Sequence, residues 1–174
     1  MTKFTDPPRP LASPPCFAHE LEYGAYGAMG VDMQTTIEVN RWRSAKRKEL
    51  IAARLAIPVK DRQKHALQIS QELDQVLDVK DDTIVSVYWP IKGEINLRPW
   101  MQQVAHKGCK VALPVVVAKN QPLIFRLWTP DTKMERGIWN IPIPAEGDPV
   151  TPTVVISPLV GFDPNCYRLG YGGG

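Results

Sequence analysis

Between Thr83 and Val116 the chain writes a strand, a helix and a second strand, and few folds accept that order in so short a length. Ile84-Val85-Ser86-Val87-Tyr88-Trp89 is β-branched and aromatic, as strands are, and Pro90 ends it. Leu97, Trp100, Met101, Val104 and Ala105 then recur at helical spacing as far as Gly108, and Lys110-Val111-Ala112-Leu113-Pro114-Val115-Val116 reads as the next strand. A βαβ unit of about 35 residues implies parallel strands joined by a right-handed crossover. Leu123 to Trp128 is expected to add a shorter strand, and Val154 to Leu159 another buried one. The expected fold class is α/β: a three-layer, open, mostly parallel sheet with helices on both faces. Ligands of such sheets collect at the carboxyl ends of the strands.

Upstream, the pattern from Arg41 predicts a helix that Pro58 closes, with Leu50, Ala53 and Ile57 on one side. At 100° per residue Arg43, Arg47 and Arg54 fall within about 40° of one another, bordering that apolar stripe. Two readings stand: cations at the rim of a cleft, or a solvated basic face with snorkelling stems. A second helix is expected over about 61–77, where Ala66, Ile69, Leu73, Val76 and Leu77 repeat at spacings of three and four. Residues 1–40 differ in kind. Pro7, Pro8, Pro10, Pro14 and Pro15 are followed by Gly24, Gly27 and Gly30, which oppose long regular structure and predict a tail or surface wrap ahead of a domain over 41–174. Cys16, His19 and Glu20 lie close together there, but no strand–helix frame surrounds them to hold a catalytic geometry.

Charge and cysteine usage exclude several classes. The net charge of +3, from 21 Lys and Arg against 18 Asp and Glu, is too small and too evenly spread for a nucleic-acid protein, so no nucleic-acid partner is expected. Cys16, Cys109 and Cys166 are odd in number, far apart and in no C-x-x-C spacing, which indicates neither a disulfide framework nor a zinc site. A reducing cytoplasm fits, and no apolar run suggests a membrane partner.

Three segments fall at the expected strand ends. In Trp89-Pro90-Ile91-Lys92-Gly93-Glu94 the glycine permits a tight turn, and the carboxylate serves either the following helix dipole or a ligand's N–H groups. Gly137-Ile138-Trp139-Asn140-Ile141-Pro142-Ile143-Pro144 is a proline-stiffened loop in which Trp139 is either a core plug or a stacking surface for a flat heterocycle. Arg168-Leu169-Gly170-Tyr171-Gly172-Gly173-Gly174 follows the apolar run Val154 to Val160, and a glycine-rich turn there lets backbone N–H groups approach an anion closely.

Taken together, these segments resemble a known family. Gly161-Phe162-Asp163, the spacer Pro164-Asn165-Cys166-Tyr167 and the stretch Arg168 to Gly174 look like the signature of the 5-formyltetrahydrofolate cyclo-ligases, also called methenyltetrahydrofolate synthetases. The likeness runs in family order over roughly residues 41 to 174, taking in Arg43, Arg47, the turn ending in Glu94, Leu113-Pro114, and Trp139-Asn140-Ile141-Pro142 with Gly147-Asp148. It implies a Rossmann-like sheet resembling the sugar-phosphate isomerase and CoA-transferase-like fold. It also implies ATP and Mg²⁺ as cofactors, 5-formyltetrahydrofolate as the small-molecule partner, a monomer, and formation of 5,10-methenyltetrahydrofolate through a phosphorylated formyl group.

By the same resemblance, ATP would be held by Arg43, Arg47, Arg168, Leu169, Gly170, Tyr171, Gly172, Gly173 and Gly174, with Arg168 and Tyr171 taking the catalytic roles. Arg47, Trp89, Glu94, Trp139 and Tyr171 would line the folate site, and no metal ligand is assigned. The family's glycine loop continues into a pair of aromatics and an Asp that helps bind Mg²⁺, then a helix and further strands. Against that pattern the chain is expected to be truncated at its C-terminal end, and inactive and poorly soluble as it stands. Two other classes stay open: a sugar-phosphate isomerase or CoA-transferase-like enzyme, which leaves the Trp139 loop unexplained, and a non-catalytic fragment that binds folate or a partner.

Overall fold

A computed structural model describes residues 33–78, 82–118 and 121–171. The elements in order are α1 (Met33–Ala56), α2 (Val59–Val76), β1 (Ile84–Ser86), α3 (Arg98–His106), β2 (Lys110–Val115), β3 (Ile124–Trp128), β4 (Met134–Arg136), a short 3₁₀ turn (Ile138–Asn140), β5 (Pro142–Pro144), β6 (Val154–Val155), β7 (Gly161–Phe162) and β8 (Arg168–Leu169). The structure divides into two units, one over residues 48–158 and one formed by residues up to 47 together with 159–173. The Cys16-to-Glu20 cluster and the remainder of residues 1–32 lie outside the described residues.

In the 48–158 unit the expected βαβ core is present. β1 and β2 pair in parallel, Val85 opposite Val111, and α3 crosses between them. The order β3-β2-β1-β6 is mixed: β6 is parallel to β1, whereas β3 returns antiparallel to β2, with Val111 opposite Trp128 and Val115 opposite Ile124. In β2 the consecutive residues Val111, Ala112 and Leu113 are all buried, and successive strand side chains point to opposite faces, so the sheet centre is covered on both sides.

The core forms where α3 meets this sheet. Trp100, Met101 and Val104 pack with Val85, Val87, Val111, Leu113 and Trp128, and Ile69, Leu73 and Leu77 close over it from the α2 side. Each such aliphatic side chain removed from water contributes about 1.5–3 kcal/mol. The indole N–H of Trp100 donates to Asp74 Oδ1 at 2.9 Å, so the largest core side chain keeps its polar atom partnered. α3 ends where Gly108 and Cys109 donate to the carbonyls of Ala105 and Val104, a Schellman closure.

Several elements differ from the sequence expectation. α1 begins at Met33, ahead of Arg41. β1 stops at Ser86, although Val87 still donates to Ala112 O at 3.0 Å, because Tyr88 turns away and its hydroxyl donates to Ile95 O. The run from Val154 to Leu159 is not a buried strand. Its strand is only Val154 and Val155 at the sheet edge, flanked by hydrogen bonds from Thr153 N and Ile156 N to β1, and Val155 is 55% exposed on a face that is little covered there.

Two hairpins were not anticipated. β4 and β5 pair antiparallel around Trp139, and Arg126 Nη1 ties them to β3 by donating to the carbonyls of Pro144 and Ala145 at 3.0 and 3.3 Å. β7 and β8 pair antiparallel in the other unit, so the glycine-rich segment leaves a hairpin strand rather than the apolar run before it. None of the helices among the described residues is long and apolar enough to cross a membrane.

Candidate functional site

The Trp89–Glu94 segment is held as a rigid turn. Glu94 N donates to Ile91 O at 2.9 Å, while Ile91 N donates back to the Glu94 carboxylate at 2.8 Å. Lys92 and Gly93 supply the left-handed backbone between them, at φ 45° and 75°. A Cβ on Gly93 would stand 3.1 Å from Leu55 Cδ2, so glycine serves both the turn's conformation and its close approach to the end of α1. Arg54 Nε fixes the same approach by donating to Lys92 O at 3.1 Å.

Glu94 is 8% exposed and is the buried carboxylate among the described residues. Its side chain faces back into the turn rather than along α3, whose first turn begins at Arg98 and holds no acidic residue. The helix-dipole role is therefore not the one it plays. A carboxylate withdrawn from water must be surrounded by N–H or O–H donors, and in a turn at a strand end it is suited to receiving them from a ligand.

Trp89 is half-buried, and the guanidinium of Arg98 covers its ring with the central carbon 5.1 Å from the centroid. Asn96 Oδ1 accepts from Arg98 Nε at 3.0 Å, which holds the guanidinium in place. Trp89 and Arg98 line a groove of about 340 Å³ together with Trp128, Thr132 and Met134. Sequence reasoning did not single out Asn96 and Arg98 at the start of α3 or Trp128 at the end of β3, which share no motif.

Trp139 is 60% exposed at the tip of the β4–β5 hairpin, so it is not a core plug. It and Asn140 both adopt left-handed backbone, at φ 60° and 59°, conformations a bulky side chain seldom accepts. The strain is held in place from below: Gly137 N donates to Ile141 O at 2.9 Å and Arg136 Nη1 to Asn140 O at 3.0 Å. A Cβ on Gly137 would stand 2.7 Å from Ile143 Cδ1, so a side chain there requires Ile143 to shift.

The remaining candidates belong to the other unit. On α1, Arg43 and Arg47 are half-buried and share one helical stripe with Leu50, Arg54 and Ile57, while Ala53 faces out. The arginines thus share the stripe of half-buried positions, which fits cations at the rim of a cleft and a basic face with snorkelling stems alike. Arg168 and Leu169 are β8, opposite Phe162 and Gly161. Their hairpin is organised by Asp163, whose Oδ1 accepts from Asn165 N at 2.9 Å and Tyr167 N at 3.0 Å, with Cys166 left-handed at φ 65°. Arg168 is exposed and Tyr171 half-buried. A Cβ on Gly170 would meet nothing within 4 Å, so the chain's own packing does not require glycine there, and the space is open to an approaching group. Gly172, Gly173 and Gly174 lie outside the described residues.

Residues 39–174 match the model of the 5-formyltetrahydrofolate cyclo-ligase family. The chain belongs to that family. Among curated proteins, the 5-formyltetrahydrofolate cyclo-ligase of Haemophilus influenzae is 28% identical over 114 residues, which cover 61% of this chain and 60% of the relative's length. Among solved structures, the 5,10-methenyltetrahydrofolate synthetase of Aquifex aeolicus superposes with a TM-score of 0.66 at 28% identity, over 76% of this chain and 68% of that one. The Mycoplasma pneumoniae 5,10-methenyltetrahydrofolate synthetase aligns with a TM-score of 0.58 at 22% identity, over 75% of this chain and 71% of that one, and shares the fold. The mixed α/β sheet of this cyclo-ligase family member is therefore that of known cyclo-ligase structures.

Proposed function

We propose that this chain carries the site of an ATP-dependent 5-formyltetrahydrofolate cyclo-ligase. Family membership supports the reaction class, and the observation that carries it to particular residues is Glu94, a buried carboxylate engaged in a strand-end turn instead of a helix terminus. Glu94 accepts the donor nitrogens of the pterin, and Trp89 and Trp139 offer flat aromatic surfaces to its ring system. Arg43, Arg47 and Arg168 neutralise nucleotide phosphates, Leu169, Gly170 and Gly172 to Gly174 give backbone access to them, and Arg47 and Tyr171 serve nucleotide and folate alike.

In this reading the formyl oxygen attacks the γ-phosphorus of ATP and ADP leaves. N10 of the folate then adds to the activated formyl carbon, the C–O bond to phosphate breaks, and N10 gives up its proton to leave the methenyl bridge. Every bond made or broken lies in the two substrates, so the protein contributes alignment, charge neutralisation and exclusion of water. Mg²⁺ would supply further charge neutralisation on the phosphates. Among the described residues no group of three or more His, Cys, Asp or Glu side chains converges as a cation site, so no step is assigned to the metal. A monomer is the expected state, and the buried free thiol of Cys109 suits a reducing cytoplasm.

The test is incubation of the chain with ATP, Mg²⁺ and 5-formyltetrahydrofolate while following the near-ultraviolet absorbance of the methenyl product. ATP-dependent appearance of product supports the reading. The expectation that the 174-residue chain turns over no substrate is decided by the same assay. Saturable binding of the folate without product supports a binding role for the same site, and absence of any folate binding overturns the assignment.

A further inference from the structure

We propose that the groove beside Trp89 receives the aminobenzoyl-glutamate end of the folate, with Arg98 pairing to a glutamate carboxylate. The inference rests on the reading of this chain as a folate-binding protein and extends it from the ring system to the tail.

The groove begins where the proposed ring site ends, because Trp89 belongs to both. Its volume of about 340 Å³ is that of a small-molecule site. Its walls are of two kinds. Trp89, Trp128, Pro99 and Met134 are apolar and mostly flat, which suits an aromatic ring. Asn96, Gln102 and Thr132 add neutral donors and acceptors, as an amide linkage requires.

Arg98 is the ionisable residue in this lining, so the groove presents a cation without a competing acid. Among the described residues no carboxylate pairs with it: its Nε and backbone N–H donate to Asn96 Oδ1 at 3.0 and 3.2 Å, and its flat face rests on Trp89. Those contacts fix the plane of the guanidinium and leave the donors of its outer edge for another acceptor. A preset planar fork answers a carboxylate with two parallel hydrogen bonds and little further loss of side-chain freedom. An aromatic slot, amide partners and one oriented arginine, continuous with a pterin-binding turn, match an aryl amide that ends in carboxylates.

The experiment compares 5-formyltetrahydrofolate with the carboxamide of 5-formyltetrahydropteroate, which keeps the pterin and the aryl amide but carries no carboxylate. Titration calorimetry on the wild-type chain is expected to show tighter binding of the folate by about tenfold, the scale of one charge-assisted contact at a partly exposed site. Arg98→Gln should abolish that preference, and Arg98→Lys should restore part of it. Arg98 is exposed, so neither change threatens the core. Equal wild-type affinity for both compounds, or a preference that survives Arg98→Gln, overturns the inference and leaves the folate assignment standing. Failure of the wild type to bind either compound overturns both.

Discussion

Arg54 reaches from the last turn of α1 to the carbonyl of Lys92, 3.1 Å from its Nε, and so joins a helix to the turn that carries Glu94. Gly93 lies against the same helix end, with φ 75° and Leu55 Cδ2 3.1 Å from where a Cβ would stand. Gly93→Ala is expected to cost about 1–2 kcal/mol, mostly from forcing an L-residue into left-handed backbone. For a domain of this size that lowers Tm by several degrees, about 2–4 °C per kcal/mol. Adding Leu55→Ala, at a 53% exposed position, should recover little of the loss, because the backbone term is untouched. Full recovery in the double variant would show that the collision, not the backbone, sets the cost.

Glu94→Gln separates charge from shape. The amide oxygen can still accept from Ile91 N, so the turn is expected to hold and Tm to change little, within about 1 kcal/mol. Affinity for 5-formyltetrahydrofolate should fall at least tenfold, since a neutral acceptor replaces a charged one against the pterin's donors. Retained affinity in calorimetry would remove Glu94 from the proposed site.

Trp139→Gly sets stability against binding. Glycine accepts φ 60° without penalty, and a side chain already 60% exposed forfeits little burial, so the hairpin should gain stability, by up to about 1 kcal/mol. If the aromatic plane is displayed for the folate, the same change weakens binding by about tenfold or more. Denaturant melts and titrations on one preparation give both numbers. A variant that is less stable than the wild type would mean that Trp139 is packed, not displayed.

What could be read from the sequence follows from how locally each part is encoded. The βαβ core was legible because Trp100, Met101 and Val104 repeat at the helical period between two β-branched runs. The hairpins were not. β5 is Pro142-Ile143-Pro144, with a proline at each end and both Ile143 and Pro144 buried, so nothing in the run announces a strand. β7 and β8 are two residues each and depend on Asp163 accepting from Asn165 and Tyr167, a contact that needs the folded loop. Glu94 was ambiguous because a carboxylate ahead of a helix has two local uses, and the folded turn adds a third, in which it accepts from Ile91 N. The groove was illegible for a different reason: Trp89, Arg98 and Trp128 meet only through the crossover and the antiparallel return of β3.

Cys109 ties stability to pH. Its thiol is 5% exposed, with Sγ 3.4 Å from Thr83 O and 3.5 Å from Lys110 O. Burial pushes its pKa above the ordinary thiol value, outweighing a backbone hydrogen bond from Val85 that acts the other way. The folded state therefore holds its proton more tightly than the unfolded chain does. That contribution is fully present below the unfolded thiol's pKa and is lost as pH rises through it toward the higher folded value. Unfolding free energy should accordingly fall above about pH 8.5, the ordinary range of a free thiol. Cys109→Val keeps the site apolar and removes the titrating group, so the difference between wild type and variant should be flat from pH 6 to about 8 and shift in the variant's favour above that. Lysine and tyrosine titrations, common to both proteins, cancel in the difference. Parallel pH dependence of the two chains in urea melts would show that the thiol contributes nothing to it.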